Sequence, residues 1–253
     1  MSSAGFRITE IEGIELLQSL PLLAEGVPHG FTLRTGGFGA RGNGASDLAK
    51  LERALGLREL ASMHQVHGNV VRVLDESKAP RCDGLLTNRG GAAVAVQSAD
   101  CVPLLLWAPK AKVVAAVHAG WRGTLARIAR TAVSKLEEIY GAAPEDIHAV
   151  IGPAIGVCCY EVGDEVIAAF ADSGRDVDRI SRPGPRGRRH LDLVEENRTQ
   201  LMSSGVTAER LHDSRLCTFC DNDCCYSFRK EGTGVGRIFG VIGLVRNDDK
   251  HFR

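Results

Sequence analysis

The stretch that decides the fold is AAVAVQSADCVPLLLWAPKAKVVAAVHAGWRGTLARIARTAVSKLEEIYG, residues 92–141. It contains three short apolar runs, AAVAVQ, VPLLLW and KVVAAVH, and residues that favour turns separate them. Runs of this kind are typical of strands that are buried on both faces of a sheet. Apolar residues then recur at helical spacing from Leu125 to Ile139, and Gly141 ends the pattern. We expect three buried strands followed by one helix, with Thr124 as its N-cap.

Shorter elements flank this central stretch on both sides. Residues 30–46, GFTLRTGGFGARGNGAS, are predicted to begin as a strand and to continue as a glycine-rich loop. Strands are also predicted for SMHQVH and NVVRVL around a turn at Gly68, and for HAVIG and RIFGVIGLV further on. Helices are predicted after a cap at Asp47, over residues 163–172 and over residues 191–204. Strands and helices alternate only partly, so a regular doubly wound sheet is not expected. The pattern predicts an α+β fold, a mixed α/β sandwich of packed mixed sheets flanked by helices, in one domain over residues 1–253.

Charge and hydropathy argue against two classes of protein. The chain carries 31 lysine and arginine residues against 31 aspartate and glutamate residues, so no nucleic-acid partner is expected. No apolar run approaches the ~18 residues of a membrane span, and the first residues lack the pattern of a secretory signal. We therefore expect a cytoplasmic protein without membrane contact, either a monomer or a small homo-oligomer. A P-loop ending and a G-x-S-x-G elbow are missing from the sequence, which disfavours nucleotide-triphosphate and serine hydrolysis.

Three segments place metal-binding side chains at the ends of apolar strands. They are QVHG with His67, SADC with Cys101, and VHAGWRG with His118. Two imidazoles and one thiolate make a three-ligand set, and three protein ligands with one open position are typical of catalytic zinc. The small residues after His118 allow close approach, and the helix start behind them favours an anion. Spacing alone does not establish that the three residues meet, because each of them lies on a different element.

A cluster of cysteines near the C-terminal end is the rival metal site. Cys217 and Cys220 have the C-x-x-C spacing of a zinc knuckle, and Cys224 and Cys225 would complete four thiolates. The two pairs of such a site usually lie roughly a dozen or more residues apart. Here all four cysteines fall within nine residues, so the role of the cluster stays open.

Several of these segments together resemble a known family. QVHG, ADCVPLLL, VAAVHAGWRGTL, IGPAIGVCCYEVGDEV and the closing CTFC and YSFRKEGTGVGRI are similar to motifs of the YfiH family, also called the laccase-domain or multicopper polyphenol oxidoreductase family. The resemblance covers nearly the whole chain and implies the YfiH-like mixed α/β sandwich. Members are described as purine nucleoside phosphorylases with adenosine deaminase activity. The resemblance therefore implies an enzyme that acts on adenosine, inosine and methylthioadenosine, with phosphate as the second substrate.

The resemblance also implies roles for individual residues. His67, Cys101 and His118 are expected to be both the metal ligands and the catalytic residues, with zinc as the expected metal and copper as the alternative. Asp100 is expected to lie near the substrate and to move protons. The other expected substrate-binding residues are Arg34, Gln65, Arg122 and Arg229, of which Arg122 or Arg229 would hold phosphate.

The sequence departs from the family pattern in two places. GFGARGNGASDLAKLERALG is shorter than the corresponding family segment, which places substrate contacts from this region in question. Cys224 and Cys225 stand where the family tends to have two aromatic residues. This substitution favours a packing role for both cysteines over zinc ligation.

Two other functions are compatible with the same three residues. A copper-dependent polyphenol oxidase would use two histidines and a cysteine as in blue-copper sites, although 8 histidines are few for a multicopper enzyme. A hydrolase that edits peptidoglycan precursors would use Cys101 as the nucleophile and His118 as the base.

Overall fold

Two six-stranded mixed sheets form the centre of the computed structural model, which describes residues 5–39, 44–75 and 79–246. Within these residues the strands are β1 (Phe6–Ile11), β2 (Ile14–Ser19), β3 (His29–Thr32), β4 (Glu59–Ala61), β5 (Val71–Val73), β6 (Gly84–Thr87), β7 (Ala92–Ser98), β8 (Val102–Ala108), β9 (Val113–Ala119), β10 (His148–Ile151), β11 (Ser181–Pro183), β12 (Arg189–Leu191), β13 (Leu211–Asp213) and β14 (Ile238–Gly243). The helices are α1 (Leu20–Ala24), α2 (Gly44–Ala54), α3 (Trp121–Leu125), α4 (Ile128–Tyr140), α5 (Asp164–Asp172), α6 (Val177–Ile180), α7 (Leu193–Ser203) and α8 (Phe228–Glu231).

The strand order shows why both sheets are mixed. The first sheet runs β1-β2-β3-β14-β7-β4 and the second runs β13-β10-β8-β9-β6-β5, while β11 and β12 pair separately. Most neighbours are antiparallel, but β4 with β7, β5 with β6, and β10 with β13 are parallel. The predicted α+β class, with packed mixed sheets and flanking helices, is confirmed.

The central strands β8 and β9 are buried on both faces, as their continuous apolar sequences predict. Along β8, Leu104 and Leu106 belong to the core between the second sheet and the helices. Leu105 and Trp107 belong to the core between the two sheets. This alternation follows from the two-residue repeat of a strand. β9 pairs with β8 along its whole length, so the same two cores hold both strands.

Three apolar layers hold the sandwich together. The first lies between the two sheets and includes Phe31 and Val96. The second packs α4 and α7 on the outer face of the second sheet, and the third packs α2 on the first sheet around Phe38 and Leu51. The arrangement is therefore helix, sheet, sheet, helix.

The helix predicted from Leu125 onwards begins differently in the structure. α3 starts directly after Gly120 and ends at Leu125, and α4 begins at Ile128. Arg127 separates the two helices, since its φ of 63° is left-handed and cannot continue a helix. Thr124 is therefore not an N-cap but a fully buried residue inside α3. The predicted end at Gly141 is confirmed, with the left-handed φ of 64° that glycine tolerates.

Two further predictions need correction. SMHQVH was predicted as a strand, but β4 ends at Ala61, and residues 62–67 hold only one isolated bridge, between His64 and Arg81. α2 begins at Gly44, so Asp47 lies in its first turn. The Asp47 carboxylate accepts a hydrogen bond of 2.8 Å from the Gly39 N–H. Part of the predicted glycine-rich loop, residues 40–43, lies outside the described residues.

Four further predictions agree with the structure. The predicted helices at 163–172 and 191–204 correspond to α5 and α7, and the runs HAVIG and RIFGVIGLV contain β10 and β14. Among the described residues, none of the helices combines the length and apolar character needed to cross a membrane.

Candidate metal centre and active site

The candidate site lies at the edge of the second sheet, where the chain crosses over from the first. β7 of the first sheet ends at Ser98, and β8 of the second sheet begins after three intervening residues. Cys101 lies in this crossover, immediately before β8. Because β8 and β9 are antiparallel, the end of β9 that carries His118 lies beside the start of β8. The topology thus brings Cys101 and His118 to the same place.

His67 completes a cluster of three potential metal ligands. One ligand atom from each of His67, Cys101 and His118 lies within 4.8 Å of the others. The two imidazole rings meet edge to face, with centroids 4.8 Å apart and an interplanar angle of 88°. The His118 side chain is only 2% exposed, whereas Cys101 is half-buried and His67 is exposed. The cluster is therefore anchored on one side and open to solvent on the other.

Asp83 orders this cluster from behind. Its side chain is fully buried, and its Oδ1 lies 3.0 Å from Nδ1 of His118. The same carboxylate accepts hydrogen bonds from the backbone N–H groups of His67 (2.9 Å) and Gly68 (2.8 Å). With Nδ1 of His118 donating to Asp83, Nε2 is left to serve as a ligand, which is the usual arrangement at metal-binding histidines.

The charges of the cluster are strongly coupled. Burial alone would raise the pKa of the Cys101 thiol, but the neighbouring imidazoles of His118 and His67 lower it to about 6. Burial would lower the pKa of His118, but Asp83 and Cys101 raise it to about 9. Without a metal, the stable state near neutral pH is therefore a thiolate beside an imidazolium. A thiolate is the form of cysteine that binds metals and acts as a nucleophile.

Gly120 allows the three ligands to lie this close together. A Cβ atom at this position would lie 3.1 Å from Cδ2 of His67 and 3.2 Å from Sγ of Cys101. The backbone of Gly120 is extended, with φ of −73° and ψ of 172°, so conformation does not require glycine here. Glycine is needed at this position because the side chains of His67 and Cys101 lie too close to leave room for a Cβ atom.

Asp100 is held in an unusual conformation next to the cluster. Its φ of 94° is left-handed, and non-glycine residues at functional sites adopt such angles only where surrounding contacts enforce them. Here Oδ1 accepts hydrogen bonds from Thr218 (2.6 Å) and Ser227 (2.7 Å), and Oδ2 accepts one from the Arg229 N–H (2.6 Å). These three bonds fix the direction of the loop that presents Cys101.

An open pocket of about 660 Å³ lies in front of the cluster. Its size is in the range of small-molecule sites. Apolar and aromatic side chains form part of the wall, among them Tyr160, which is mostly buried, and Phe228, which is 50% exposed. The pKa of the Tyr160 hydroxyl is raised to about 12, mainly by burial, so it stays protonated at neutral pH. The pocket combines flat apolar surface with donors close to the cluster.

The residues that were expected to contact the substrate are divided between two locations. Gln65 and Arg229 line the pocket. Both ends of the Gln65 amide are bonded to the backbone of Gln97, at 2.8 and 2.7 Å, and Arg229 donates to the Glu161 carbonyl at 2.7 Å. Arg34 and Arg122 are not among the lining residues.

Contacts with other side chains explain why Arg34 and Arg122 do not line the pocket. The guanidinium of Arg34 forms an ion pair of 2.6 Å with Glu231 and packs on the ring of Tyr226. That of Arg122 packs over the ring of Trp121, 4.3 Å from its centroid.

Sequence reasoning missed Asp83 and Tyr160. Asp83 stands directly before a glycine and a short apolar strand, which is the same strand-end position that singled out the other polar residues. That signal was present but weak, because an aspartate before a glycine more often marks a turn. Tyr160 lies in the CCYEVG segment, which carries no chemical motif by itself.

The donor set fits one metal ion and not several. Two imidazoles and one thiolate suit zinc with an open position, or a single copper. Among the described residues no further histidine joins this group, and the other group of potential ligands contains only cysteines. A polynuclear copper centre therefore does not fit the described part of the chain.

A layered mixed α/β sandwich with a His–Cys–His cluster in an open pocket belongs to the class of candidate metalloenzymes. Comparison with protein families places the chain more narrowly. It belongs to the family described as "Multi-copper polyphenol oxidoreductase laccase", whose profile matches residues 29–245.

Characterised relatives carry names from purine metabolism. The chain is 38% identical to a purine nucleoside phosphorylase of Deinococcus radiodurans, and the match covers 93% of this chain and 95% of that protein. It is 35% identical to adenosine deaminase RL5 of an unknown prokaryotic organism, covering 76% of this chain and 78% of that protein. A purine nucleoside phosphorylase of Bacteroides thetaiotaomicron is 41% identical, over 63% of this chain and 60% of that protein.

A solved structure shares the fold over its whole length. It is the YfiH protein of Bacillus licheniformis, which is 27% identical to this chain and superposes with a TM-score of 0.84, covering 96% of this chain and 100% of that one.

Proposed function

We propose that this protein is a purine nucleoside phosphorylase that also deaminates adenosine, and that its active centre consists of His67, Cys101 and His118. The observation that carries the proposal is the single open cluster of these three side chains at the floor of a pocket of about 660 Å³. The names of the relatives supply the substrate class. The proposal assigns both reactions to this one pocket.

Both reactions place a nucleophile beside a planar base. In phosphorolysis, phosphate attacks the sugar carbon and the purine leaves with the bonding electrons. In deamination, water attacks the ring carbon and ammonia leaves. Tyr160 and Phe228 offer aromatic surface for the base, and the protonated Tyr160 hydroxyl is available as a donor. The pocket is therefore suited to hold a purine close to the cluster.

One metal ion is held by the three side chains in this proposal. When bound, zinc supplies a water molecule of lowered pKa and a positive charge that stabilises developing negative charge. Asp83 holds the proton on Nδ1 of His118, so that Nε2 would be free to hold the ion. Cys101 would hold it as a thiolate, a form that its pKa of about 6 favours.

The contacts of Asp100 support a positioning role for this residue. All three of its hydrogen bonds come from protein donors, which occupy both carboxylate oxygens. Proton transfer was expected of this residue, but the present contacts favour a carboxylate that holds the Cys101 loop in place.

Phosphate binding is assigned to Arg229. Its guanidinium lies in the pocket wall and stacks over Tyr160, 5.2 Å from the ring centroid. An arginine suits the bidentate binding of phosphate. Gln65 is proposed to shape the pocket, because its amide is already paired with the backbone of Gln97.

The experiment is an incubation of zinc-loaded protein with adenosine and phosphate, followed by chromatography of the products. We expect adenine from phosphorolysis and inosine from deamination, and we expect Cys101→Ala to abolish both. Cys82→Ala serves as the matched control, because Cys82 is a buried cysteine outside the pocket. The absence of every purine product from the wild-type protein would contradict the proposal.

A second candidate function rests on the same thiolate. A cysteine whose pKa is lowered to about 6 beside a histidine is also the pattern of a metal-independent cysteine hydrolase. Hydrolysis of peptidoglycan precursors is the corresponding activity. Activity that survives removal of metal by a chelator but is lost after alkylation of thiols would favour this candidate.

A further inference from the structure

Four cysteines from two distant segments meet in a second cluster, outside the residues that line the pocket. Cys158 and Cys159 lie in the turn after β10, and Cys217 and Cys220 lie in the turn after β13. All four Sγ atoms lie within 4.8 Å of one another. The two turns are joined by backbone hydrogen bonds, from the Ala154 N–H to Leu216 and from the Thr218 N–H to Ala154. The parallel pairing of β10 and β13 thus brings the two cysteine pairs together.

This is a different set from the one that the sequence suggested. Cys224 and Cys225 do not join the four: their Sγ atoms lie 3.7 Å from each other, and Cys225 is fully buried in the core between the sheets. Cys217 and Cys220 have the knuckle spacing, but their partners come from nearly 60 residues upstream. The objection that all the cysteines fall within nine residues therefore does not apply to the set that the fold assembles.

The sulfur positions match one tetrahedral ion. Zn–S bonds of about 2.3 Å place the sulfurs of a tetrahedral site about 3.8 Å apart. Sγ of Cys220 lies 3.7 Å from that of Cys158 and 3.3 Å from that of Cys159. All four sulfurs lie within 4.8 Å of one another, so the remaining adjustment is within what side-chain rotation provides. Four sulfur ligands suit zinc or iron, and they leave no position open for a substrate.

Backbone N–H groups point at the sulfur of Cys217, and they come from Cys220, Gly156 and Phe219. The Gly156 N–H lies 3.3 Å from Sγ. N–H groups aimed at a ligand sulfur are the hydrogen bonds that support metal-bound thiolates.

The four sulfurs are close enough for their charges to interact, since all of them lie within 4.8 Å of one another. Four thiolates this close repel one another unless a cation lies between them. A divalent ion removes this repulsion, because its charge favours the deprotonated form of every ligand.

Gly156 gives the cluster its close approach. A Cβ atom here would lie 3.1 Å from Sγ of Cys158 and 3.5 Å from Sγ of Cys217. The glycine therefore stands against the sulfurs of both segments, as Gly120 stands against the ligands of the active site.

We propose that Cys158, Cys159, Cys217 and Cys220 bind a second metal ion, a structural zinc held by four thiolates. The ion ties the turn after β10 to the turn after β13. Both turns support the pocket: Thr218 bonds to Asp100, and Tyr160 lines the pocket wall. The zinc therefore stabilises the scaffold that positions Cys101, without contacting the substrate.

The test separates this site from the active centre by counting zinc. Each protein is expressed with zinc, purified with a reductant, and measured by native mass spectrometry and elemental analysis. We expect two zinc ions in the wild type and one in the double variant His67→Ala/Cys101→Ala. Adding Cys217→Ser and Cys220→Ser to that variant is expected to remove the remaining ion. The matched control adds Cys224→Ser instead, and this protein is expected to keep one zinc.

X-ray absorption of the His67→Ala/Cys101→Ala variant tests the ligands without changing the four cysteines. We expect a single shell of sulfur neighbours at about 2.3 Å from zinc. A variant without zinc, a shell containing nitrogen or oxygen, or a Cys159–Cys220 disulfide in the protein purified with reductant would each overturn the proposal. These results do not depend on whether the protein processes nucleosides.

Discussion

Asp83 contacts both histidines of the candidate active centre. One oxygen of its carboxylate accepts a hydrogen bond from Nδ1 of His118. The carboxylate also accepts hydrogen bonds from the backbone N–H groups of the turn that carries His67. Burial raises the pKa of Asp83, but these bonds and the charge of His118 outweigh burial and lower it. A buried carboxylate in this position orients one ligand directly and a second through its backbone.

Replacing Asp83 with asparagine tests this role. Asp83→Asn keeps the shape of the side chain but removes the charge that raises the pKa of His118. We expect zinc to bind about 10- to 100-fold more weakly, the usual cost of losing such a partner. Competition with a zinc chelator measures the affinity. Asp172→Asn, an exposed carboxylate at the end of α5, is the control, and equal affinities in both variants would contradict the role.

The titration of Cys101 provides a second test. In the metal-free protein its pKa is about 6 instead of the ordinary 9.0, so the thiolate persists at neutral pH and is lost only as the pH falls through about 6. The rate of alkylation at Cys101, followed by peptide mass spectrometry, should therefore have its midpoint near pH 6. In His118→Ala, which removes the largest favourable partner, the midpoint should move toward 9. A wild-type midpoint near 9 would refute the thiolate–imidazolium pair.

The crowding at Gly120 makes a third prediction. Gly120→Ala places a Cβ against His67 and Cys101 without straining the backbone. We expect zinc affinity to fall by about tenfold or more, because ligand geometry must be held closely at a metal site. The same chelator competition applies. Gly90→Ala is the control, since its Cβ would meet its nearest neighbours at an ordinary 3.6 Å. Undiminished affinity in Gly120→Ala would show that the cluster is looser than described.

The candidate metal ligands were easier to predict from the sequence than the residue that orients them. His67, Cys101 and His118 carry distinctive chemistry and stand at strand ends, where a pattern can single them out. Asp83 acts through hydrogen bonds to residues 15 to 35 positions away in the chain, and no local pattern encodes those contacts. Arg34 and Arg122 carry the right charge for a substrate, but their neighbours Glu231 and Trp121 hold their guanidinium groups.

At the scale of elements, the short helix α3 connects the site to the outer helix layer. It begins right after Gly120 and packs against α7, where Asn197 donates a 2.9 Å hydrogen bond to Oγ1 of Thr124. Gln200 donates to the Thr124 carbonyl at 2.7 Å. These buried bonds fasten the helix that follows His118.

A double-mutant cycle tests this connection. Thr124→Val keeps the side-chain volume but leaves the buried Asn197 amide with one acceptor fewer, at a cost of about 1–3 kcal/mol. The free energy of unfolding is measured by urea denaturation for Thr124→Val, Asn197→Ala and the double variant. We expect a coupling energy of about 0.5–3 kcal/mol between the two sites. Independent effects would mean that Thr124 acts within its own helix, as the cap prediction required.

Element types were predictable where the local pattern agreed with the burial. The runs of β7, β8 and β9 are mostly apolar, and nearly all of their residues are buried. The break between α3 and α4 was missed because apolar residues continue across it at helical spacing, while the left-handed Arg127 gives no signal in the sequence. Residues 62–67 have the sequence pattern of a strand. Their backbone N–H groups bond to the Pro80 carbonyl and to the Asp83 carboxylate instead of to a neighbouring strand.

At the scale of the whole molecule, the two sheets explain why the candidate active centre and the cysteine cluster lie where they do. β7 ends in the first sheet and β8 begins in the second, so the intervening residues span the seam between the layers. Asp100 and Cys101 occupy this seam. Topology was open at the sequence level, because strand order depends on contacts between residues far apart in the chain. For the same reason, the grouping of Cys158 and Cys159 with Cys217 and Cys220 could be recognised only in the fold.

Diffraction at the zinc absorption edge is the measurement that decides whether His67, Cys101 and His118 hold one metal ion in the pocket. Crystals of protein loaded with zinc should give an anomalous peak about 2.0–2.1 Å from a nitrogen of each histidine and about 2.3 Å from Sγ of Cys101. We expect the fourth coordination position of this ion to face the pocket. Crystals of protein that turns over adenosine, yet show no anomalous density between these three side chains, would contradict this expectation.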